Sequence, residues 1–287
     1  MRYLFLLRVH HWVKNLFVFI PIFFAGEIFD VERLIILAQG FVCFCLVSSA
    51  VYILNDYRDM ATDKLHPTKK NRPLASGKIS PAFALSCMVI LLVTGLAWAF
   101  AIKLSFLFML LLYLLINISY SYGLKDIALV DVFLISCGFL IRTVSGGLLA
   151  SVAVSQWLII MVFLLSLMLA FAKRRDDLVR AGATGKVLRK SSRHYSIEYL
   201  HICLSLIAGV TMVCYMMYTF SEEVKLRLGE NYLSFTSLFV FAGILRYLQI
   251  TMLNQHEGSP TRIFLTDRII QATILGWVLT FSITLYL

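Results

Sequence analysis

Apolar runs of 17 or more residues recur along the whole length of this 287-residue chain, separated by short charged segments. Wound as a helix, such a run matches the hydrocarbon thickness of a bilayer, where every backbone polar group must be satisfied internally. The pattern predicts an all-α membrane protein. Composition agrees, because 60% of the residues are hydrophobic, against ~45–50% in soluble domains. The first run follows a basic, aromatic start and lacks a small-residue cleavage site, so it reads as a span and not as a removable signal.

Nine spans are predicted, at roughly 12–27, 34–54, 82–101, 105–121, 127–150, 156–173, 197–219, 232–253 and 267–286. With the N-terminus in the cytoplasm, the segments on that side and their bordering residues hold 20 of the 26 Lys and Arg. The far side holds Arg33, Lys103, Lys225 and Arg227, while Arg142 and Arg246 fall inside spans. This asymmetry predicts an inner-membrane protein with its N-terminus and active site in the cytoplasm. It also accounts for much of the net charge of +10 without a nucleic-acid partner. The six cysteines all lie in apolar segments without a CxxC pair and read as small core residues.

Two cytoplasmic loops are long, 55–81 and 174–196, and each opens on a charged cluster, NDYRDMATD and KRRDD. They suggest two analogous helix–loop–helix units facing a pocket, within one integral-membrane domain covering 1–287. In the first loop Asn55, Asp59 and Asp63 are spaced i, i+4, i+8. If the second span continues by two turns, they share one face, with Asp56 one step round it. Four oxygen-bearing side chains over ~12 Å of helix suit a hard cation. Mg²⁺ typically takes one or two carboxylates and completes its shell with substrate phosphates, so a metal–diphosphate complex is the expected occupant, with Mn²⁺ as a substitute. Arg72, in the turn RPLASG, is the expected phosphate reader. Lys70 and Lys78 read as topology signals.

NDYRDMATD resembles the NDxxDxxxD signature of the UbiA superfamily of intramembrane prenyltransferases. Further stretches are similar to its decaprenyl-phosphate phosphoribosyltransferase branch: RVHHWVKNLFVFIP, SSAVYILNDYRDMATDKLHPTKKNRPLASGKI, SYGLKDIALVDVFLISCGFLIRTVSGG and the TDR at 266–268. Val9 and His11 stand where that branch shows Pro and Gln. The resemblance implies a nine-helix bundle around a central cavity, with loops 2–3 and 6–7 forming a polar cap and a Mg²⁺–diphosphate site at the cytoplasmic mouth.

Aromatic prenyltransferases of the superfamily carry a second acidic motif, DxxxD. Here Asp176 and Asp177 are adjacent, Arg180 follows, and Lys173, Arg174 and Arg175 surround them. Neighbours on a helix point ~100° apart and chelate one ion poorly. The cluster suits an anion better than a second cation. Deeper in the membrane, Arg142 is a functional candidate by default. Asp131, about three turns earlier, is either its structural partner or leaves it to a phosphate. Arg246 reads as a span-end snorkeller.

Membership of the branch would make the donor 5-phosphoribosyl diphosphate (PRPP) and the acceptor a polyprenyl phosphate, in the biosynthesis of lipid-linked arabinose. Asn55, Asp56, Asp59 and Asp63 would then be metal ligands. Asp59, Lys125 and Arg142 would act in catalysis, and Lys14, Arg72, Tyr122, Lys173, Arg174 and Asp177 in substrate binding. The rivals are a prenyltransferase acting on an aromatic acceptor and a transporter of phosphorylated metabolites. The non-DxxxD second cluster opposes the first, and the acidic helix face opposes the second.

Overall fold

The structure, a computed structural model, describes residues 2–65, 69–184, 191–221, 224, 233–253 and 260–286, except the side chains of 2, 183, 184, 260–262 and 286. The HPT of the first loop, residues 185–190 of the second, and Glu222, Glu223, Lys225, Arg227 and Glu230 lie outside these. The described elements are helical. They are α1 (Arg2–Leu7), a 3-10 helix (Val9–Phe19), α2 (Ile20–Phe24), α3 (Val31–Arg58), α4 (Met60–Lys64), α5 (Pro81–Ile102), α6 (Leu104–Ser121), α7 (Val130–Ala150), α8 (Gln156–Thr184), α9 (Ile197–Phe220), α10 (Thr236–Leu253), α11 (Pro260–Thr266) and α12 (Arg268–Tyr286), with short 3-10 turns between some of them.

Eight helices among the described residues are long and apolar enough to cross a membrane: α3, α5, α6, α7, α8, α9, α10 with the turn before it, and α12. The chain is a multi-span membrane protein. Several helix starts follow from local sequence. Asp30 caps α3 by accepting from Arg33 N at 3.1 Å, and Ser196 caps α9 by accepting from Tyr199 N at 3.1 Å. Ser80 caps α5, with Pro81 in the first turn, where the missing N–H costs nothing.

The Cα positions group the chain into two units, Met1–Lys125 with Cys137–Val154, and Asp126–Ser136 with Ser155–Leu287. The first unit packs α3 against α5 and α6, around Val18, Phe44, Phe106, Leu110, Tyr113 and Ile141. The second packs α8 on α9 and α10 on α12, around Phe171, Leu200, Leu204, Tyr247 and Ile270.

The predicted span 12–27 differs from the other eight. It is the 11-residue 3-10 helix followed by the five residues of α2, with Pro21 in the first turn of α2. A 3-10 helix has three residues per turn, so positions i and i+3 stand directly above one another. Trp12, Asn15 and Val18 form one such row. Trp12 Nε1 donates to Ser49 Oγ at 3.1 Å, and Asn15 Nδ2 donates to Cys45 Sγ at 3.2 Å and Ser48 Oγ at 3.4 Å. Val18 is fully buried, and its backbone passes Gly146 of α7 so closely that a Cβ there would lie 1.9 Å from the Val18 carbonyl oxygen. The neighbour is backbone and has no side-chain freedom with which to yield. Gly146→Ala should therefore destabilise the protein by about 1–3 kcal/mol, read as a lowered unfolding temperature in detergent. An unchanged temperature would contradict this packing.

Arg246 is not a snorkeller. Its Nη2 lies 2.8 Å from Asp267 Oδ2, and Asp267 Oδ1 accepts from Ile270 N at 2.9 Å. The Arg246 hydrogen bond is the main force holding the Asp267 carboxyl below its ordinary range. The pair thus stabilises the fold near neutral pH, and that contribution is lost as pH falls through the depressed value.

Candidate functional site

The acidic motif sits at the end of α3. A shared face required this helix to continue by two turns. Instead α3 closes at Arg58, and Asp59 forms a junction (φ −85°, ψ 0°) before α4. The backbone ladder nevertheless crosses the junction, since Asp59 N donates to Asn55 O at 2.9 Å and Asp63 N to Asp59 O at 2.8 Å. The side chains divide into two neighbouring pairs, Asn55 with Asp59 around Lys125 and Asp56 with Asp63 around Arg72. Asp56 and Asp63 are buried, at 2% and 3% exposure.

Basic side chains from three other segments meet this face. Arg72 Nη1 bridges two carboxylates, 3.1 Å from Asp56 Oδ1 and 2.6 Å from Asp63 Oδ2. Arg8 Nη2 reaches Asp56 Oδ1 at 2.5 Å. Lys125 Nζ lies 2.7 and 2.9 Å from the two Asp59 oxygens and 3.4 Å from Asn55 Oδ1. The RPLASG turn seats Arg72: Ser76 N donates to Arg72 O at 2.9 Å, Ile79 N to Pro73 O at 3.2 Å, and Leu74 is buried beside Leu6 and Ile53. Gly77 takes φ +70°, which favours glycine. Tyr122 is exposed, its ring under the Arg58 guanidinium at 4.0 Å.

Deeper in the same unit, Arg142 is buried. Its Nε donates to Asn15 Oδ1 at 2.8 Å, Nη1 to Gly138 O at 2.8 Å and Nη2 to Tyr113 OH at 2.8 Å. Lys14, next to Asn15, feels the charges of both Arg142 and Arg8. A cavity of about 390 Å³ lined by Gln39, Trp98, Lys103 and Ser151 opens toward the N-terminal half of α3 and contains none of these residues.

Among the described residues, no three of His, Cys, Asp and Glu converge as a ready metal cage. The donors present are carboxylate and amide oxygens on adjacent turns, chemistry that fits a hard cation taking its remaining ligands from phosphate oxygens.

In the second unit, α8 continues beyond the predicted end at 173 and carries KRRDD as helix. Lys173 Nζ lies 3.0 Å from both Asp176 Oδ2 and Asp177 Oδ1, and Arg180 Nε lies 3.0 Å from Asp176 Oδ1. Arg175 donates to His201 Nε2 at 3.2 Å and Met252 O at 3.0 Å. Arg174, 3% exposed, lies with Nε 2.8 Å from Asp131 Oδ2 and Nη1 3.1 Å from Asp177 Oδ2. The Nε–H points off the line to Asp131, so that contact is ionic and not a directed hydrogen bond. Asp131 also accepts from Ser191 Oγ at 3.2 Å and Tyr195 OH at 3.0 Å. Of the two alternatives for Asp131, pairing with Arg142 is not the one adopted, since Asp131 and Arg142 have separate partner sets. The Tyr195 hydroxyl also accepts from the N–H of Leu129, a residue held at φ +67°. Burial pushes the Tyr195 phenol up to about 12.

Sequence reasoning missed Arg8 and Asn15. The available signal for Asn15 was a lone amide in an otherwise apolar run, WVKNLFVFIP. Arg8 and Asn15 also both stand in RVHHWVKN, the stretch whose resemblance to the family branch was the signal available for Arg8.

Residues 16–266 match the UbiA prenyltransferase family. The chain is 32% identical over 289 residues to a decaprenyl-phosphate phosphoribosyltransferase of Mycolicibacterium smegmatis, covering 97% of this chain and 91% of that protein. It is 30% identical over 286 residues to a protein of the same name from Corynebacterium glutamicum, covering 98% and 86%. In fold it resembles a UbiA homolog from Archaeoglobus fulgidus bound to DMAPP and Mg²⁺, with a TM-score of 0.74 and 19% identity over 100% of this chain and 99% of that one. With the family match spanning most of the chain and such relatives aligned nearly end to end, the chain belongs to the UbiA prenyltransferase family.

Proposed function

We propose that the chain is a membrane transferase that moves 5-phosphoribosyl from PRPP to a polyprenyl phosphate of the decaprenyl type, releasing diphosphate. The product is polyprenyl-phosphoryl-5-phosphoribose, a precursor of lipid-linked arabinose. The observation that carries this reading is the acidic face at the end of α3 interleaved with Arg8, Arg72 and Lys125. A soluble polyanion that arrives with a cation needs both signs of charge in one place. The full-length relatives named for this reaction support the same choice.

Asn55, Asp56, Asp59 and Asp63 would hold Mg²⁺, or Mn²⁺ in its place. When bound, the ion supplies neutralising charge for the departing diphosphate. Lys125 and Arg72, which bond these carboxylates, are placed to donate to the donor's phosphate oxygens. The acceptor is already an oxyanion, so no strong general base is needed. A lipid-phosphate oxygen forms a bond to the ribosyl C1, and the C1–oxygen bond to diphosphate breaks with its electron pair on the leaving group. Within the first unit Tyr122 would be a substrate contact; within the second, the substrate-binding candidates Lys173 and Arg174 are both held by Asp177.

The reading includes the ninth span and one domain over 1–287. Eleven residues of 3-10 helix at ~2.0 Å each and five of α-helix at ~1.5 Å reach ~30 Å, the thickness of the hydrocarbon layer. It also includes an inner-membrane location with the acidic mouth on the cytoplasmic side, where the Lys and Arg are concentrated.

The second cluster tests the donor. Arg180→Asp would set a third carboxylate beside Asp176 and create an i, i+4 acidic pair. On this reading PRPP-dependent transfer falls through like-charge repulsion, and no prenyl transfer is gained. Wild type and variant should be assayed with each donor in the same membranes. Prenyl transfer to an aromatic acid by wild type, or its appearance in Arg180→Asp, would favour the prenyltransferase reading.

A further inference from the structure

Arg142 is a buried cation whose partners are all neutral. It is 5% exposed, and among the described residues no carboxylate lies within ion-pair distance of it. A guanidinium has five N–H groups. Three go to Asn15 Oδ1, Gly138 O and Tyr113 OH, which leaves one on Nη1 and one on Nη2. The rings of Phe44, Tyr113 and Phe139 stand 5.9, 4.6 and 5.6 Å from its central carbon. Such a charge is costly to keep in a low-dielectric site without an anion. A fold that needed Arg142 merely as a tie would be better served by a carboxylate at the Asn15 position. Asn15 is itself fixed. Its amide nitrogen donates to Cys45 and Ser48, so its oxygen must face Arg142.

We propose that Asn15 is a positioning residue whose neutral amide holds Arg142 in place while leaving its charge uncompensated, so that Arg142 binds a phosphate monoester. The inference rests on the reading above that the substrates are phosphates, and it names a second phosphate site. Ser48 and Cys45 precede Asp56 by eight and eleven residues on α3, so this site lies ~12–16 Å along the helix from the acidic mouth. Two substrates carry such a group. One is the lipid acceptor, and the other is the sugar 5-phosphate end of the donor.

Asn15→Asp separates a tie from an anion site. The carboxylate keeps the shape and the acceptor but neutralises Arg142. The expected result is an unfolding temperature at or above that of wild type, with phosphate affinity at least about tenfold weaker. The measurement is thermal unfolding of wild type, Asn15→Asp and Arg142→Gln in detergent micelles. The probes are polyprenyl phosphate, uncharged polyprenol and ribose 5-phosphate. Wild type should be stabilised by one of the two phosphates and not by polyprenol, and the active probe identifies the source. Both variants should lose that shift. Asn15→Asp that keeps it, or wild type that responds to neither phosphate, would overturn the proposal. Should Asn15→Asp fail to fold, Arg142→Gln decides alone. Failure of both to fold would make the network a tie and overturn it as well. A wild type that binds the phosphate yet transfers no phosphoribosyl group would sink the functional reading and leave this one standing.

Discussion

Asp59→Ala should lower PRPP-dependent transfer by at least about 100-fold while leaving the protein folded. Asp59 is half-buried at the junction between α3 and α4 and binds Lys125 through both oxygens. Its removal takes a central donor from the acidic face and leaves Lys125 held by Asn55 alone. The loss should match what chelation does to wild type. EDTA should abolish activity, and Mg²⁺ or Mn²⁺ should restore it. The unfolding temperature controls for folding, because Lys125 keeps Asn55 as a partner. Full activity in EDTA, or Asp59→Ala within twofold of wild type, would refute the metal assignment.

Asp131→Ala should produce the largest stability effect. It leaves Arg174, 3% exposed, without its buried counter-charge, and removes the acceptor of Ser191 and Tyr195. Breaking a buried pair from one side typically costs 3–5 kcal/mol. Tyr195 also holds the N–H of Leu129, so the start of α7 and the segment before α9 should loosen together. Replacing both charges by apolar groups, as in Asp131→Ala with Arg174→Met, should cost less than the sum of the single changes, because no charge is then left buried alone. Denaturant unfolding in detergent measures this. A loss below about 1 kcal/mol for Asp131→Ala would mean that Arg174 finds compensation elsewhere.

What the sequence made legible follows from physics that acts locally. Membrane helices announce themselves by length and apolarity, and eight of the nine predicted spans correspond to such helices among the described residues. The i, i+4, i+8 spacing was legible because backbone hydrogen bonds of the same period run through the junction, whereas the side chains divide between Lys125, which meets Asn55 and Asp59, and Arg72, which meets Asp56 and Asp63. Lys125 stayed close to that face because the turn after α6 is short. The partnerships of buried charges were not legible. Helical spacing gave Asp131 and Arg142 the same face, yet Asp131 is met by Arg174 from another helix and Arg142 by Asn15 from the N-terminal segment. Those choices depend on tertiary packing, which no spacing rule encodes. The 3-10 winding of Val9–Phe19 was hidden for a related reason. It is sustained by contacts such as Trp12 to Ser49 and the close pass of Val18 over Gly146. Isolated runs of this helix type rarely exceed 3–4 residues.

The central claim is group transfer from PRPP to a lipid phosphate. It is tested most directly by incubating membranes containing the protein with ribose-labelled PRPP, polyprenyl phosphate and Mg²⁺, and following the label. On this account the ribose label enters the lipid phase in step with diphosphate release, and both cease when polyprenyl phosphate is replaced by polyprenol. Label that stays in the aqueous phase while the same membranes transfer a prenyl group from a prenyl diphosphate to an aromatic acid would contradict it.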